Sequence, residues 1–485
     1  VDRPPYATRE VAAVVAVQAA LLLAMAPHYG PHRDELYFVS AGQHPAWGYA
    51  DQPALTPLLA GLAHWVAPGS LTVLRLPSLI AVAALVWLAA HFARLLGGGR
   101  APQVLTAVSV ASGGLTMAVG HRLSTATFDT LAWTAIAIIV AQALIDDRPR
   151  LWLLAGLVAG IGLNNKHGVV FCLFGLLVGV AAVRETRPAL RTRWPWLAGL
   201  LALVLWTPNL LWQAAHDWPV LELSRDISEE YGGLAGRGEL VGQALVMLSP
   251  LIGVVAIIGL VQLLRRPQWT LAGPVAVGFL AVLGLFLVTG GKGYYVAGFA
   301  VPLVSAGAIW VAERFRGRRA VAAGAVLALS AMVAWPALVP ALPMDTYVAS
   351  YPKLDVDQLE TIGWPEYAAQ ARAVVDGLPP EERGHAVVFT GNYGEAGAME
   401  WYDVGVPVYS GHNGWREWGP PPESAGPVVV VSQGSADGFS GCTLETRLAN
   451  SAGAEGEEVG AGVWLCDGPV GGWRSAWSRL VHYDA

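Results

Sequence analysis

The sequence is short of charge: Asp, Glu, Lys and Arg make up 14% of its 485 residues, while 54% are hydrophobic. Soluble domains carry about 25% charged residues, so this deficit excludes a chain that faces water throughout. The shortage is uneven, because residues 10–341 hold one apolar run after another, whereas 345–485 read like an ordinary globular domain. A net charge of −6 argues against a nucleic-acid partner, which would call for a basic surface. No glycine-rich nucleotide loop stands at a strand-to-helix turn, and no internal repeat is visible. No signal-peptide cleavage pattern lies between Val1 and the first apolar run, so that run is expected to remain as a membrane anchor.

Cysteine is also scarce. Cys172 sits in an apolar run and reads as a packed small residue. Cys442 and Cys466 fall in the C-terminal region. An oxidising compartment would permit a disulfide between them, although their spacing does not decide whether one forms.

A bilayer core of ~30 Å takes about 20 apolar residues per helix, and by that measure about eleven spans are expected. They fall near 10–27, 72–96, 102–120, 127–145, 151–164, 168–183, 195–213, 241–264, 270–289, 294–312 and 320–341. With a cytoplasmic N-terminus, the basic clusters at Arg3/Arg9, Arg94/Arg100, Arg148/Arg150, Arg184–Arg193, Arg265/Arg266 and Arg314–Arg319 all lie inside. The same topology places 28–71, the start of the span near 127, the Asn164–His167 turn, 214–240, the Gly290–Tyr295 turn and the C-terminal domain outside. The predicted organisation is therefore a transmembrane domain over 1–344 and an extracytoplasmic domain over 345–485. Within the outer loop, Ala54–Val66 is expected as an amphipathic helix lying in the interface. In the outer domain, Ala386–Thr390 and Pro427–Ser432 read as buried strands and Glu366–Val375 as a helix. That alternation suggests a small α/β domain with a partly parallel sheet.

The outside segments hold the residues suited to chemistry. His32-Arg33-Asp34-Glu35 follows the first span, Asp51 sits in Gly48-Tyr49-Ala50-Asp51-Gln52-Pro53, and Asp129 begins a span. Adjacent carboxylates at a surface are ordinarily a solvated loop, but a carboxylate at the edge of a span is costly and marks a functional position. On the same face stand Arg122, Lys166 and Lys292, where lysine and arginine are disfavoured in short outer loops. They either pair with neighbouring carboxylates or form a site for a phosphate group. A carboxylate base and a phosphate-binding set on one face suit transfer of a sugar from a lipid-phosphate carrier to a hydroxyl acceptor. A transporter or flippase for a lipid-linked solute, and a glycan-binding receptor, are the rival readings. Transporters, however, place their binding groups near the bilayer centre, between repeated halves.

Together, Asp34-Glu35, Asp51 before a proline, Asp129 at a helix start and Lys166 in a turn resemble the GT-C membrane glycosyltransferases. Among these, the chain is similar to bacterial relatives of the protein O-mannosyltransferases and the lipid A aminoarabinose transferases. Pro208–Gln213, His216-Asp217-Trp218-Pro219, Asn392–Gly397 and Ser410–Asn413 extend the resemblance over most of the sequence. It implies a polyprenyl-phosphate sugar donor, an active site on the outer face and inversion at the anomeric carbon. It further implies Asp34 as general base or metal carboxylate, Glu35 in support and Asp129 as a second acidic position. Lys166 and Lys292 would face the donor phosphate, with Tyr294 or Tyr295 lining its pocket. Asp51 falls where a carboxylate can ligate a divalent metal, with His216 as a candidate partner or else a plain loop residue. The Asp51-Gln52-Pro53 segment and Tyr37-Phe38 depart from the aminoarabinose pattern, each losing a basic group, which leaves the sugar open. Gly391, Gly394, Gly397 and Gly411 read most simply as tight turns after strands. The alternative is that Glu395, His412 and Asn413 help hold the acceptor or donor.

Overall fold

The computed structural model describes residues 3–230, 233, 236–238, 242–243, 248–351 and 356–483. The start of the span expected at 241–264 and the end of the 214–240 loop lie partly outside the described residues. The chain divides into two compact units. One comprises Val1–Ala26, Arg75–Ala215 and Ser224–Val339; the other comprises Pro27–Leu74, His216–Leu223 and Pro340–Ala485.

The first unit is helical. Among the described residues, six helices are long and apolar enough to cross a membrane: Thr8–Met25, Leu71–Leu95, Thr125–Ile145, Trp194–Ala215, Pro267–Thr289 and Gly293–Arg314. Arg100–Ser112 and Gly114–His121 meet at a 55° bend and make a seventh if read as one span. Six or seven spans by this measure thus replace the eleven expected. The remaining apolar runs do form helices, but Leu151–Leu163, Val169–Ala182 and Pro250–Arg265 have 13, 14 and 16 residues. At ~1.5 Å per residue they are shorter than a ~30 Å core. The last run breaks into Arg318–Met332 and Trp335–Leu338.

In lipid, helices associate through close backbone approach at small residues rather than through the hydrophobic effect. Pro250–Arg265 and Ala297–Arg314 use glycine for this from both sides. A Cβ at Gly259 would lie 1.8 Å from the Leu303 carbonyl oxygen, and one at Gly307 would lie 1.9 Å from that of Val255.

The second unit centres on a mixed sheet. Its strands are β1 (Val387–Thr390), β2 (Val408–Ser410), β3 (Val428–Ser432), β4 (Phe439–Ser440), β5 (Thr443–Arg447), β6 (Gly462–Cys466) and β7 (Gly468–Pro469). The main sheet runs β2-β1-β3-β6-β5, while β4 pairs with β7. β1 is parallel to β2 and β3, and β6 is antiparallel to β3 and β5. Four successive valines bury β3 on both faces, as expected of a central strand. The helix Trp364–Asp376 packs Trp364, Tyr367 and Ala371 into the core beside Val388 and Val429. Cys442 and Cys466 are joined in a disulfide, and Cys172 is free and buried. The chain is thus a polytopic α-helical membrane protein with a C-terminal α/β region.

Two helices from the early loop complete this unit. Arg33–Gln43 begins at a capping box in which the Asp34 N–H donates to His32 Nδ1 and the His32 N–H donates to Glu35 Oε2. Leu55–Val66 buries Thr56, Pro57, Ala60 and Ala63 while exposing Leu58, Leu62 and Trp65, the two-sided character expected of an interfacial helix. The helix Tyr393–Trp401 follows β1, and its own capping box pairs Asn392 with Glu395. Gly394 and Gly397 lie inside that helix, which corrects the reading of them as turns. A Cβ at Gly394 would lie 2.8 Å from Arg33 Cβ, and one at Gly397 would lie 2.8 Å from Leu36 Cβ. Both pairs are spaced i, i+3, so two helix faces meet along a glycine track.

Candidate active site

The second unit gathers the acids. Asp34 occupies the first turn of Arg33–Gln43 and keeps 40% of its side chain exposed. The Tyr393 hydroxyl donates to Asp34 Oδ1 at 3.0 Å and accepts from Arg33 Nε at 3.1 Å. The Arg33 guanidinium lies over the Tyr393 ring, 5.2 Å from its centroid, and reaches Glu457 at 2.6 Å and Glu360 at 3.5 Å. His32 lies 3.9 Å from Asp34 Oδ2 and 3.0 Å from Glu360 Oε2. One carboxylate is thus held by a tyrosine hydroxyl, and it remains open to solvent.

Asp51 sits in the tight turn between Tyr49 and Gln52, closed by the Tyr49 N–H donating to the Gln52 carbonyl at 2.8 Å. Tyr37, wholly buried, donates its hydroxyl to Asp51 Oδ1 at 3.0 Å and accepts from the Gly414 N–H at 3.1 Å. The Tyr37 and Tyr393 rings lie 4.8 Å apart, so the two carboxylates hang from adjoining tyrosines. Burial raises the Asp51 carboxyl to about 7, with the Asp34 charge adding to the shift and the Tyr37 hydrogen bond opposing it.

Glu35 is fully buried and accepts the His32 N–H, so it supports Asp34 by fixing the helix start. Glu395 does the same for the opposing helix, its Oε2 accepting the Gly391 and Asn392 N–H groups. Burial, together with the Glu458 charge, lifts the Glu395 carboxyl to about 8. His412 Nδ1 accepts the Tyr393 N–H at 3.3 Å. Asn413 has positive φ (48°) and donates its N–H to the His482 carbonyl. These two residues therefore shape the loop that carries Gly414 to Tyr37. His216 lies 3.8 Å from Glu417, a different partner from that of Asp51. Among the described residues, no group of three or more His, Cys, Asp or Glu side chains is placed to hold a metal ion.

The first unit holds the other set. Asp129 is buried near the start of Thr125–Ile145, accepts from Trp133 Nε1 at 3.0 Å and lies within charge range of Lys166. The Lys166 ammonium stands 5.0 and 5.1 Å from the Tyr294 and Tyr295 ring centroids. Lys166, Asp129, Tyr294 and Tyr295 thus come together. Lys292 caps the turn that carries the two tyrosines, and Arg122 ends the helix Gly114–His121. An apolar cavity of about 260 Å³ adjoins Tyr294, walled by Leu115, Phe279, Leu283 and Leu303.

The structure adds members that the sequence reading did not single out. Tyr37 and Tyr393 were visible only as aromatic residues near better-known motifs. Arg75 is 2% exposed, donates to the Ala26 carbonyl at 2.7 Å and meets His121 Nε2 at 3.2 Å. A buried arginine one turn into the apolar helix Leu71–Leu95 is costly and needs such partners.

Residues 51–212 match the family described as dolichyl-phosphate-mannose-protein mannosyltransferase, a segment that holds Asp51, Arg122, Asp129 and Lys166. No curated protein matches the chain. Among solved structures, ArnT from Cupriavidus metallidurans bound to undecaprenyl phosphate is similar, with a TM-score of 0.60 and 14% identity over 82% of this chain and 84% of that one. Its apo form is similar with a TM-score of 0.55 and 13% identity over the same shares. The Archaeoglobus fulgidus oligosaccharyltransferase in complex with Zn and sulfate shows a TM-score of 0.45 and 13% identity, over 81% of this chain and 62% of that one. In fold, the chain resembles the GT-C membrane glycosyltransferases.

Proposed function

We infer that the protein is an integral membrane glycosyltransferase that moves a sugar from a polyprenyl-phosphate donor to an acceptor on the extracytoplasmic face. The observation that carries this reading is Asp34, a solvent-open carboxylate aimed by Tyr393. The fold likeness to a transferase bound to undecaprenyl phosphate supports it.

In this mechanism Asp34 takes the proton of the acceptor hydroxyl as its oxygen attacks the anomeric carbon. The bond from that carbon to the phosphate oxygen breaks, the electron pair leaves with the polyprenyl phosphate, and the sugar is inverted. Lys166, Lys292 and Arg122 hold the phosphate charge as it develops, with Tyr294 and Tyr295 bounding its pocket. Asp129 orients Lys166, and Glu35 fixes Asp34 through the helix cap. A metal held by Asp51 and His216 does not fit the described residues, since the two have separate partners, and no step is routed through one.

The topology belongs to the same proposal, with 1–344 as the membrane part. The N-terminus lies inside and 345–485 lies outside. The arginine clusters support this orientation, as does the disulfide, which suits an oxidising compartment.

The test is transfer by purified protein in nanodiscs from radiolabelled polyprenyl-phosphate sugars to cell-envelope acceptors. Product that forms with the native chain and vanishes with Asp34→Asn is expected; equal turnover by the variant removes Asp34 from the chemistry.

A further inference from the structure

Within the second unit a polar cavity of about 410 Å³ is lined by Tyr393, whose hydroxyl donates to Asp34, a size that falls in the ~300–1,000 Å³ range of small-molecule sites. Tyr393, His412 and His482 line it, and Arg33, Glu395 and Gln433 supply polar groups.

Its walls narrow the occupant. None of the lining residues is aliphatic, which disfavours a lipid tail or an apolar side chain. The Arg33 charge is answered by Glu457 and Glu360, so a phosphate entering here meets no uncompensated cation. Glu395 is 1% exposed, and its Oε1 has no hydrogen-bond partner among the described residues. A buried polar atom of this kind calls for a partner, which a ligand can supply. Burial keeps this carboxyl protonated to about pH 8, so it can donate as well as accept. Polar donors and acceptors between aromatic walls match a pyranose or furanose ring, whose hydroxyls bond and whose carbons carry no long apolar chain. Tyr393 is shared, since it lines the cavity while its hydroxyl holds Asp34.

We propose that this cavity binds a neutral sugar residue of the acceptor, lying beside Tyr393 and hydrogen-bonded to Glu395, and so presents a glycan hydroxyl to Asp34. The acceptor is then a saccharide rather than a peptide or a phosphorylated headgroup. This inference rests on the transferase reading for its purpose, but binding can be measured without transfer.

The experiment titrates the full chain in nanodiscs, by calorimetry, with neutral mono-, di- and trisaccharides of glucose, galactose, mannose, arabinose and N-acetylglucosamine. One sugar series is expected to bind, about tenfold or more weaker in Glu395→Leu and Gln433→Trp, and within about threefold in Glu395→Gln, which keeps both a donor and the cap acceptor. Because Glu395→Leu removes a helix cap, Gln433→Trp at the exposed rim carries the test if that variant does not fold. Sugar binding that neither variant weakens overturns the proposal, as does binding of phosphorylated sugars alone. Donor turnover onto a peptide or phospholipid without sugar binding also overturns it, and leaves the transferase standing. Sugar binding lost in Gln433→Trp, with no transfer from any polyprenyl-phosphate donor, supports the cavity and removes the transferase.

Discussion

Asp34 is held by other side chains yet remains open to solvent, the combination a general base needs. Replacing it with asparagine keeps the size and removes the base; transfer is expected to fall by about 10²–10⁴-fold while membrane insertion is unchanged. Single-turnover rates beside a protease-protection assay check both halves. Tyr393 acts through Asp34, so Tyr393→Phe is expected to lower kcat about tenfold at unchanged donor KM, the pattern of an interaction made only in the transition state. A rise in donor KM instead would make Tyr393 a binding residue. Glu395 yields a prediction about pH. Its carboxyl titrates near 8 in the fold against 4.5 when unperturbed, so the folded state holds its proton more tightly. This contribution to stability is complete below about 4.5 and is lost as pH rises through about 8. Glu395→Gln should flatten that loss and raise the unfolding temperature at pH 8 relative to the native chain; equal slopes would show that the carboxyl does not carry it.

At the scale of elements, the glycine track between Arg33–Gln43 and Tyr393–Trp401 sets how closely Tyr393 approaches Asp34. Gly397→Leu should separate the two helices, at about 1–3 kcal/mol for overpacking, with transfer falling more than stability. Measuring denaturation and kcat on one preparation separates the two effects. The track also marks where sequence reading stopped. Glycines beside strands suggest turns, and only the partner helix, hundreds of residues away, makes them a contact surface. The acids of the first loop were legible because they stand side by side. Lys166 with Asp129 was legible because cations and carboxylates are rare at the ends of spans. Tyr37 and Tyr393 were not, because a tyrosine near a motif looks the same whether or not its hydroxyl holds a carboxylate. Apolar runs were legible as helices too, but not their effective length. The bend between Ser112 and Gly114 and the 13- and 14-residue helices arise from breaks that hydropathy averages away.

At the scale of the molecule, the arginine clusters define an orientation that cysteine accessibility can read. In a Cys172→Ala background, Gly317→Cys should react with a membrane-impermeant maleimide only after the inner face is opened, whereas Ala452→Cys should react in intact cells. The reverse pattern would invert the topology. The second unit is also assembled out of order. In the proposed topology Asp34 crosses the membrane early in synthesis, but Tyr393, its hydrogen-bond partner, lies 359 positions later in the chain. Until those residues are translated and exported, the base has no tyrosine to aim it and Arg33 lacks its carboxylate partners. If the chain is the proposed transferase, a half-made copy sits among lipid-linked sugars without consuming them, and chemistry begins only when the last part of the fold closes onto the first.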